Sequence, residues 1–330
     1  MKFRTETQPL PHSGLLSHND SIFMLGSCFT DNIGVKLHER LFNVTINPFG
    51  TLYNPASINH TVQRIVSRQR FTTADITKNS DGRWFSYDCH TKLNNADASQ
   101  LLDNLNNRLD SAHDFISQAT TMCITLGTAW VFTLNSTGQV VANCQKQPAS
   151  LFTHTRMTVT ECTDCLDHTI TALKNLNPHI KIILTVSPIR HLANGAHGNQ
   201  LSKSTLLLAC DEATQRHSNV IYFPSYEIMM DDLRSYRYYA ADMKHPSDVA
   251  VDYIYEIFAQ SFFNNDTIEL SQQALNLMHR IAHRPINQSP EALHESQLRN
   301  QTLINSFVQK HPELQQALEH VLTQNPTIRS

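Results

Sequence analysis

Apolar runs of strand length recur through the first 260 or so residues, and most give way to stretches with helical periodicity. The runs fall at 21–25, 43–46, 121–126, 180–186 and 220–224. The helical stretches cover about 31–41, 54–68, 98–119, 158–176, 201–217 and 247–263. Runs such as Thr121-Met122-Cys123-Ile124-Thr125-Leu126 read as strands buried on both faces, which is the habit of a parallel sheet covered by helices. The alternation therefore predicts an α/β chain with a mainly parallel sheet. Two hairpins interrupt it. Asp81-Gly82 beside Trp84-Phe85-Ser86-Tyr87 predicts a β-hairpin insertion over 71–92. Ser136-Thr137-Gly138, between Val131-Phe132-Thr133-Leu134 and Val140-Val141-Ala142, predicts a second. From about Asn264 the pattern changes to Gln- and Asn-rich helical segments, with Pro285, Pro290 and Pro312 as breaks. The expected organisation is an N-terminal arm (1–20), an α/β domain (21–263) and a C-terminal helical extension (264–330).

Composition narrows the partners. The formal net charge is −3, which disfavours nucleic acid or an anionic membrane as the main partner. No apolar run approaches the roughly 20 residues that a membrane span needs, and the first residues carry no apolar leader core. Seven cysteines, an odd number, point to free thiols in a reducing compartment, so a cytoplasmic location is expected. Cys162-Thr163-Asp164-Cys165 with His168 has no second pair at zinc-ribbon spacing and falls in a predicted helix, so no metal site is read there. The chain has neither a Gly-x-Gly-x-x-Gly fingerprint nor a phosphate-binding Walker loop. No cofactor is expected.

Function is best sought where the first strand meets the first helix. Residues 21–29 read Ser-Ile-Phe-Met-Leu-Gly-Ser-Cys-Phe, so Ser27 sits at the carboxyl edge of the sheet, where α/β proteins bind ligands. Free backbone N–H groups and the positive end of a helix dipole lie there. Ser27 is thus a candidate nucleophile, although serine is also a favoured helix cap. A serine needs a base, and the base works best when a carboxylate fixes its tautomer. Asp242-Met243-Lys244-His245-Pro246, on a predicted loop ahead of the last α/β helix, offers both. Cys28 is the rival nucleophile, since thiols near helix N-termini are activated. The residue after a nucleophile usually turns away, so Cys28 is expected to be a packing residue.

Gly26-Ser27-Cys28-Phe29 resembles the motif that names the GSCFA family, within the SGNH/GDSL hydrolase superfamily. Further stretches resemble the same family in order over about 21–262. They are Asn47-Pro48-Phe49-Gly50 with Tyr53-Asn54-Pro55, Thr125-Leu126-Gly127-Thr128-Ala129-Trp130, Val141-Ala142-Asn143-Cys144, Ser187-Pro188-Ile189-Arg190-His191, Tyr222-Phe223-Pro224-Ser225-Tyr226-Glu227 and Asp242-Met243-x-His245-Pro246. The resemblance implies a flavodoxin-like three-layer α/β/α fold. It also implies Ser27 as nucleophile, His245 as base and Asp242 as orienter. Ser27 and Gly50 N–H groups would form the oxyanion hole. The superfamily's oxyanion asparagine falls on Ala129, so a substitute is expected from Asn54, Thr128 or His191. Gln145 stands where a family histidine is expected. His191, which follows the fourth apolar run, is expected to line the pocket, with Arg190, Trp130 and Asn143.

These expectations amount to a serine-dependent ester hydrolase or acyl (acetyl) transferase working through an acyl-enzyme. A small-molecule or carbohydrate ester would be its substrate, and a homo-oligomer is admitted. Two alternatives stay open: a weak or inactive binding module on the same fold, favoured by Ala129, and an interaction protein that uses the C-terminal helices.

Overall fold

The computed structural model describes residues 5–283 and 289–324. The main sheet has five strands, β1 (Ser21–Gly26), β2 (Asn43–Ile46), β3 (Thr121–Leu126), β4 (Lys181–Val186) and β5 (Val220–Phe223), in the spatial order β5-β4-β3-β1-β2. β1 runs parallel to β3, β3 to β4 and β4 to β5, with Gly26 opposite Thr125 and Leu126 opposite Val186. Every residue of β3 is buried, as are five of six in β1 and in β4. That pattern is what a sheet covered on both faces requires. The order is the flavodoxin-like one, with its topological switch between β1 and β3. The loops leaving those two strands begin at Ser27 and Gly127.

The intervening helices are α1 (Cys28–His38), α2 (Pro55–Val66), α3 (Ala98–Gln118), α4 (Val159–Leu176), α5 (Gly195–Arg216), α6 (Ser225–Met230) and α7 (Asp248–Phe262). Their starts are set by side-chain caps. Asn54 Oδ1 accepts from Ser57 N–H at 2.8 Å, with Pro55 at the first helical position. Asp97 caps α3, and Thr158 with Glu161 forms a capping box on α4. Such caps each stabilise by about 0.5–2 kcal/mol. α2 packs on α4 and α4 on α5, and their apolar stripes share one core with β1, β3 and β4.

The chain gathers into two compact units. The first holds Ile22–Ile33 and Thr45–Ile254, which include β3, β4, β5 and all of β1 but Ser21. The second takes in Pro9–Ser21, Gly34–Val44 and the described residues from Tyr255 onward. Its helices are α8 (Asn265–Ala282), α9 (Pro290–Lys310) and α10 (Gln315–Gln324), packed through Leu277, Met278, Ile281, Phe307, Leu318 and Val321. Pro290 opens α9 and Pro312 opens a single 3-10 turn, while Pro285 lies outside the described residues. No described helix is long and apolar enough to cross a membrane.

Three local differences from the expected elements matter. The 71–92 insertion is mostly turns, with only Thr77–Lys78 and Trp84–Phe85 paired antiparallel. The second hairpin gains a third strand: Phe152–Arg156 pairs with Trp130–Leu134, whose other edge holds Gln139–Val141. Finally, α1 begins at Cys28 rather than near Asp31.

Candidate active site

β1 ends in a backbone that only glycine fits. Gly26 has φ +144°, and a Cβ there would lie 2.2 Å from the Thr125 carbonyl oxygen. Gly26→Ala is accordingly expected to push the start of α1 off β3, at a cost of about 3 kcal/mol or more, read as a lower urea midpoint. The tight junction lets α1 start two residues later. Ser27 N–H donates to Thr125 O at 3.1 Å, and Ser27 O accepts from Thr30 N–H at 2.8 Å. The Ser27 side chain is 0 % exposed, and its Oγ lies 3.4 Å from Phe29 N. Ser27 therefore sits as a helix cap facing the interior. Cys28, half-buried on the first turn of α1, carries its Sγ to 3.7 Å from His245 Nε2. The structure thus seats the thiol, not the expected serine, against the histidine. The helix starts three residues earlier than its periodicity indicates, and each residue turns the helix by about 100°.

Asn47 fastens this junction. Its Oδ1 accepts from Gly26 N–H at 2.9 Å and its Nδ2 donates to Asp31 Oδ1 at 2.7 Å, from a backbone at φ +40°. Gly50, three residues on, has φ +88°, and a Cβ there would meet His90 Cβ at 2.2 Å. Its N–H is spent on Asn47 O at 2.8 Å.

The histidine comes from the loop between the Tyr236–Tyr238 turn and α7. Asp242 Oδ1 accepts the Lys244 and His245 N–H groups at 2.9 and 3.0 Å, and its Oδ2 lies 2.5 Å from His245 Nδ1. The two backbone N–H groups, then the imidazole, hold the Asp242 carboxyl well below the usual range. An ionised Asp242 puts the proton on Nδ1 and leaves Nε2 as an acceptor toward Cys28. Arg190 braces the loop by donating to Met243 O and stacking over the Tyr239 ring at 4.3 Å.

A cleft of about 470 Å³ opens over this pair. It is lined by Cys28 and His245 together with Asn54, Thr128, Trp130, Asn143, Arg190 and His191, and by Tyr53, Phe132 and Cys144. Ser27, Gly50 and Asp242 do not line it. The expected backbone oxyanion donors are committed elsewhere: Ser27 N–H to Thr125 O, Gly50 N–H to Asn47 O. Thr128 N–H is spent on Tyr53 O at 2.8 Å. Thr128 Oγ1 lies 3.0 Å from Ser202 Oγ, and Ala129 is fully buried with its N–H on the same Ser202 Oγ at 2.7 Å. Asn54 spends its amide oxygen on the α2 cap, which leaves the Nδ2 end of the same amide for the cleft. Gln145, in the expected histidine position, is buried and ties the insertion together. Its Nε2 donates to Ser86 O and Cys89 O, and its Oε1 accepts from Asn94 Nδ2 at 3.0 Å.

Electrostatics keep Cys28 as a thiol at rest. Burial and then the Asp31 charge push its pKa up, while the Lys203 charge works the other way. Burial, then Lys203 and His245, push His191 down to about 4, so it is neutral at physiological pH. Lys203 is itself 0 % exposed, and burial lowers its pKa to about 7. Its Nζ donates to Gly127 O and Ser187 O, both at 2.7 Å, and so ties the carboxyl ends of β3 and β4 together beneath the cleft. Tyr53, Phe132, Cys144 and Lys203 carry no sequence signal of a place at this site, and Cys28, expected as a packing residue, faces the cleft instead.

Fold and site together define an α/β chain with a thiol, an imidazole and a carboxylate in series at the switch-point crevice of a flavodoxin-like sheet. The chain belongs to the GSCFA family, whose profile matches residues 21–258. No curated protein matches. Among solved structures, a carbohydrate esterase family 3 protein from Talaromyces cellulolyticus aligns with 9 % identity and a TM-score of 0.38, over 77 % of this chain and 98 % of that one. A carbohydrate esterase family 2 enzyme with a carbohydrate-binding domain, from Corynascus thermopiles (Myceliophthora fergusii), aligns with 14 % identity and a TM-score of 0.37, over 82 % and 69 %.

Proposed function

We propose that this chain is a thiol-dependent acyl-transfer enzyme acting on esters. The observation that carries the reading is the line Cys28 Sγ, His245 Nε2 and Nδ1, Asp242 Oδ2, with spacings of 3.7 and 2.5 Å, in an open cleft. A protonated thiol beside an acceptor nitrogen calls for general-base activation rather than a resting thiolate. His245 takes the Cys28 proton as sulfur bonds to the ester carbonyl carbon. The carbonyl π pair moves to oxygen. When the tetrahedral species collapses, the C–O bond to the alcohol breaks, and His245 hands that alcohol the proton. Asp242 holds the imidazolium and its orientation throughout. Water or an acceptor hydroxyl, deprotonated by His245, then releases the acyl group from the thioester. Trp130 and the 40 % exposed Phe132 both line the cleft and offer aromatic surface that suits a sugar ring, in keeping with a carbohydrate ester.

Acid-quenched protein after reaction with p-nitrophenyl acetate is expected to carry one acetyl group on Cys28, released by neutral hydroxylamine as thioesters are. An adduct stable to hydroxylamine, an adduct on another residue, or none at all would overturn the reading.

A further inference from the structure

We propose that the Tyr53 hydroxyl donates the hydrogen bond that stabilises the oxyanion formed when Cys28 attacks the acyl carbonyl. This rests on Cys28 being the nucleophile. The backbone donors at the ends of β1 and β3 are already engaged. The N–H groups of Ser27, Gly50, Gly127 and Thr128 are all engaged by backbone carbonyls, and Ala129 brings no side-chain donor. A developing oxyanion still needs donors fixed in advance, since such donors supply much of the rate in acyl transfer.

Tyr53 meets the requirements. It lines the cleft with Cys28 and His245. Thr51 Oγ1 donates to the Tyr53 oxygen at 3.2 Å, so the phenol's own hydrogen is not spent on that bond. The residue is held at both ends. Its carbonyl accepts the Gly127 and Thr128 N–H groups, both at 2.8 Å. Its ring meets the His191 ring edge-on at 5.6 Å. Gly127 makes room for that ring, because a Cβ there would lie 3.2 Å from Tyr53 Cδ1. Burial first, then the Cys28 and Asp31 charges and a hydrogen bond toward Cys28, push the phenol's pKa up against the Thr51 bond, so it keeps a proton aimed at the reacting sulfur. The bond is a hydrogen bond throughout: the phenol's proton stays on Tyr53, and the electron pair on oxygen returns to re-form the carbonyl as the alcohol leaves.

The test compares two reactions of one thiol. Acyl transfer puts negative charge on a carbonyl oxygen, whereas alkylation of Cys28 by iodoacetamide does not. In Tyr53→Phe, kcat/KM for p-nitrophenyl acetate is expected to fall about 10²–10³-fold through kcat, with KM little changed. The rate of Cys28 alkylation is expected to stay within about twofold. Acyl transfer kept within about threefold, or a parallel loss of both reactions, overturns the role for Tyr53. If the wild-type protein forms no acyl-Cys28, the parent reading fails and this one with it. If the adduct forms and the variant makes it at the wild-type rate, only the role of Tyr53 fails.

Discussion

Cys28→Ala is expected to lower kcat/KM for p-nitrophenyl acetate by about 10³-fold or more, while Ser27→Ala leaves it within about threefold. The two residues are neighbours, yet they face opposite ways. Cys28 Sγ is 3.7 Å from the imidazole that would deprotonate it, and Ser27 is 0 % exposed behind the first turn of α1. Loss of the Ser27 hydroxyl removes a weak cap contact to Phe29 N, worth about 1 kcal/mol of stability. Steady-state kinetics on the two purified variants decides the matter. The reverse pattern would return the nucleophile to Ser27.

The second large effect concerns Lys203. Its folded pKa of about 7 lies below its ordinary value near 10.4, because burial disfavours the ammonium. Between those two values the unfolded chain binds more protons than the folded one, so folding stability rises with pH. Below about pH 7 both states are protonated and this contribution is flat. The neutral amine retains two N–H donors, enough for Gly127 O and Ser187 O. Wild-type stability is therefore expected to gain on the order of 2 kcal/mol between pH 7 and 9 relative to Lys203→Met, read from urea midpoints across that range. Equal pH profiles for the two proteins would show that Lys203 does not titrate there.

The sheet was legible because its central strands are apolar on both faces. Sequences such as Thr121-Met122-Cys123-Ile124-Thr125-Leu126 have few other homes. The carboxylate and histidine were legible because a three-residue spacing on a loop brings them together locally. The side chain that faces His245 was not legible. Which of two adjacent side chains meets His245 depends on where α1 begins, and periodicity sets helix ends only to within a few residues. The engagement of the Ser27 and Gly50 N–H groups was hidden for a different reason. Backbone N–H groups leave no mark in a sequence, and here Thr125 O and Asn47 O take them. Lys203 looks like an ordinary cation on a long helix, and only the packing of α5 reveals that it is enclosed. The Phe152–Arg156 strand was missed because its partner lies across a loop, and its own residues are mostly polar.

Asn47 answers three demands at once. The backbone at φ +40° favours a residue that tolerates the left-handed region. Gly26 N–H needs an acceptor, and Asp31 Oδ1 needs a donor. Glycine satisfies the first demand alone. Aspartate satisfies the first two but sets a second carboxylate against Asp31. Glutamine has both ends of the amide on a chain one methylene too long. Asparagine alone meets all three, so position 47 has no conservative replacement, although no part of its side chain need touch a substrate.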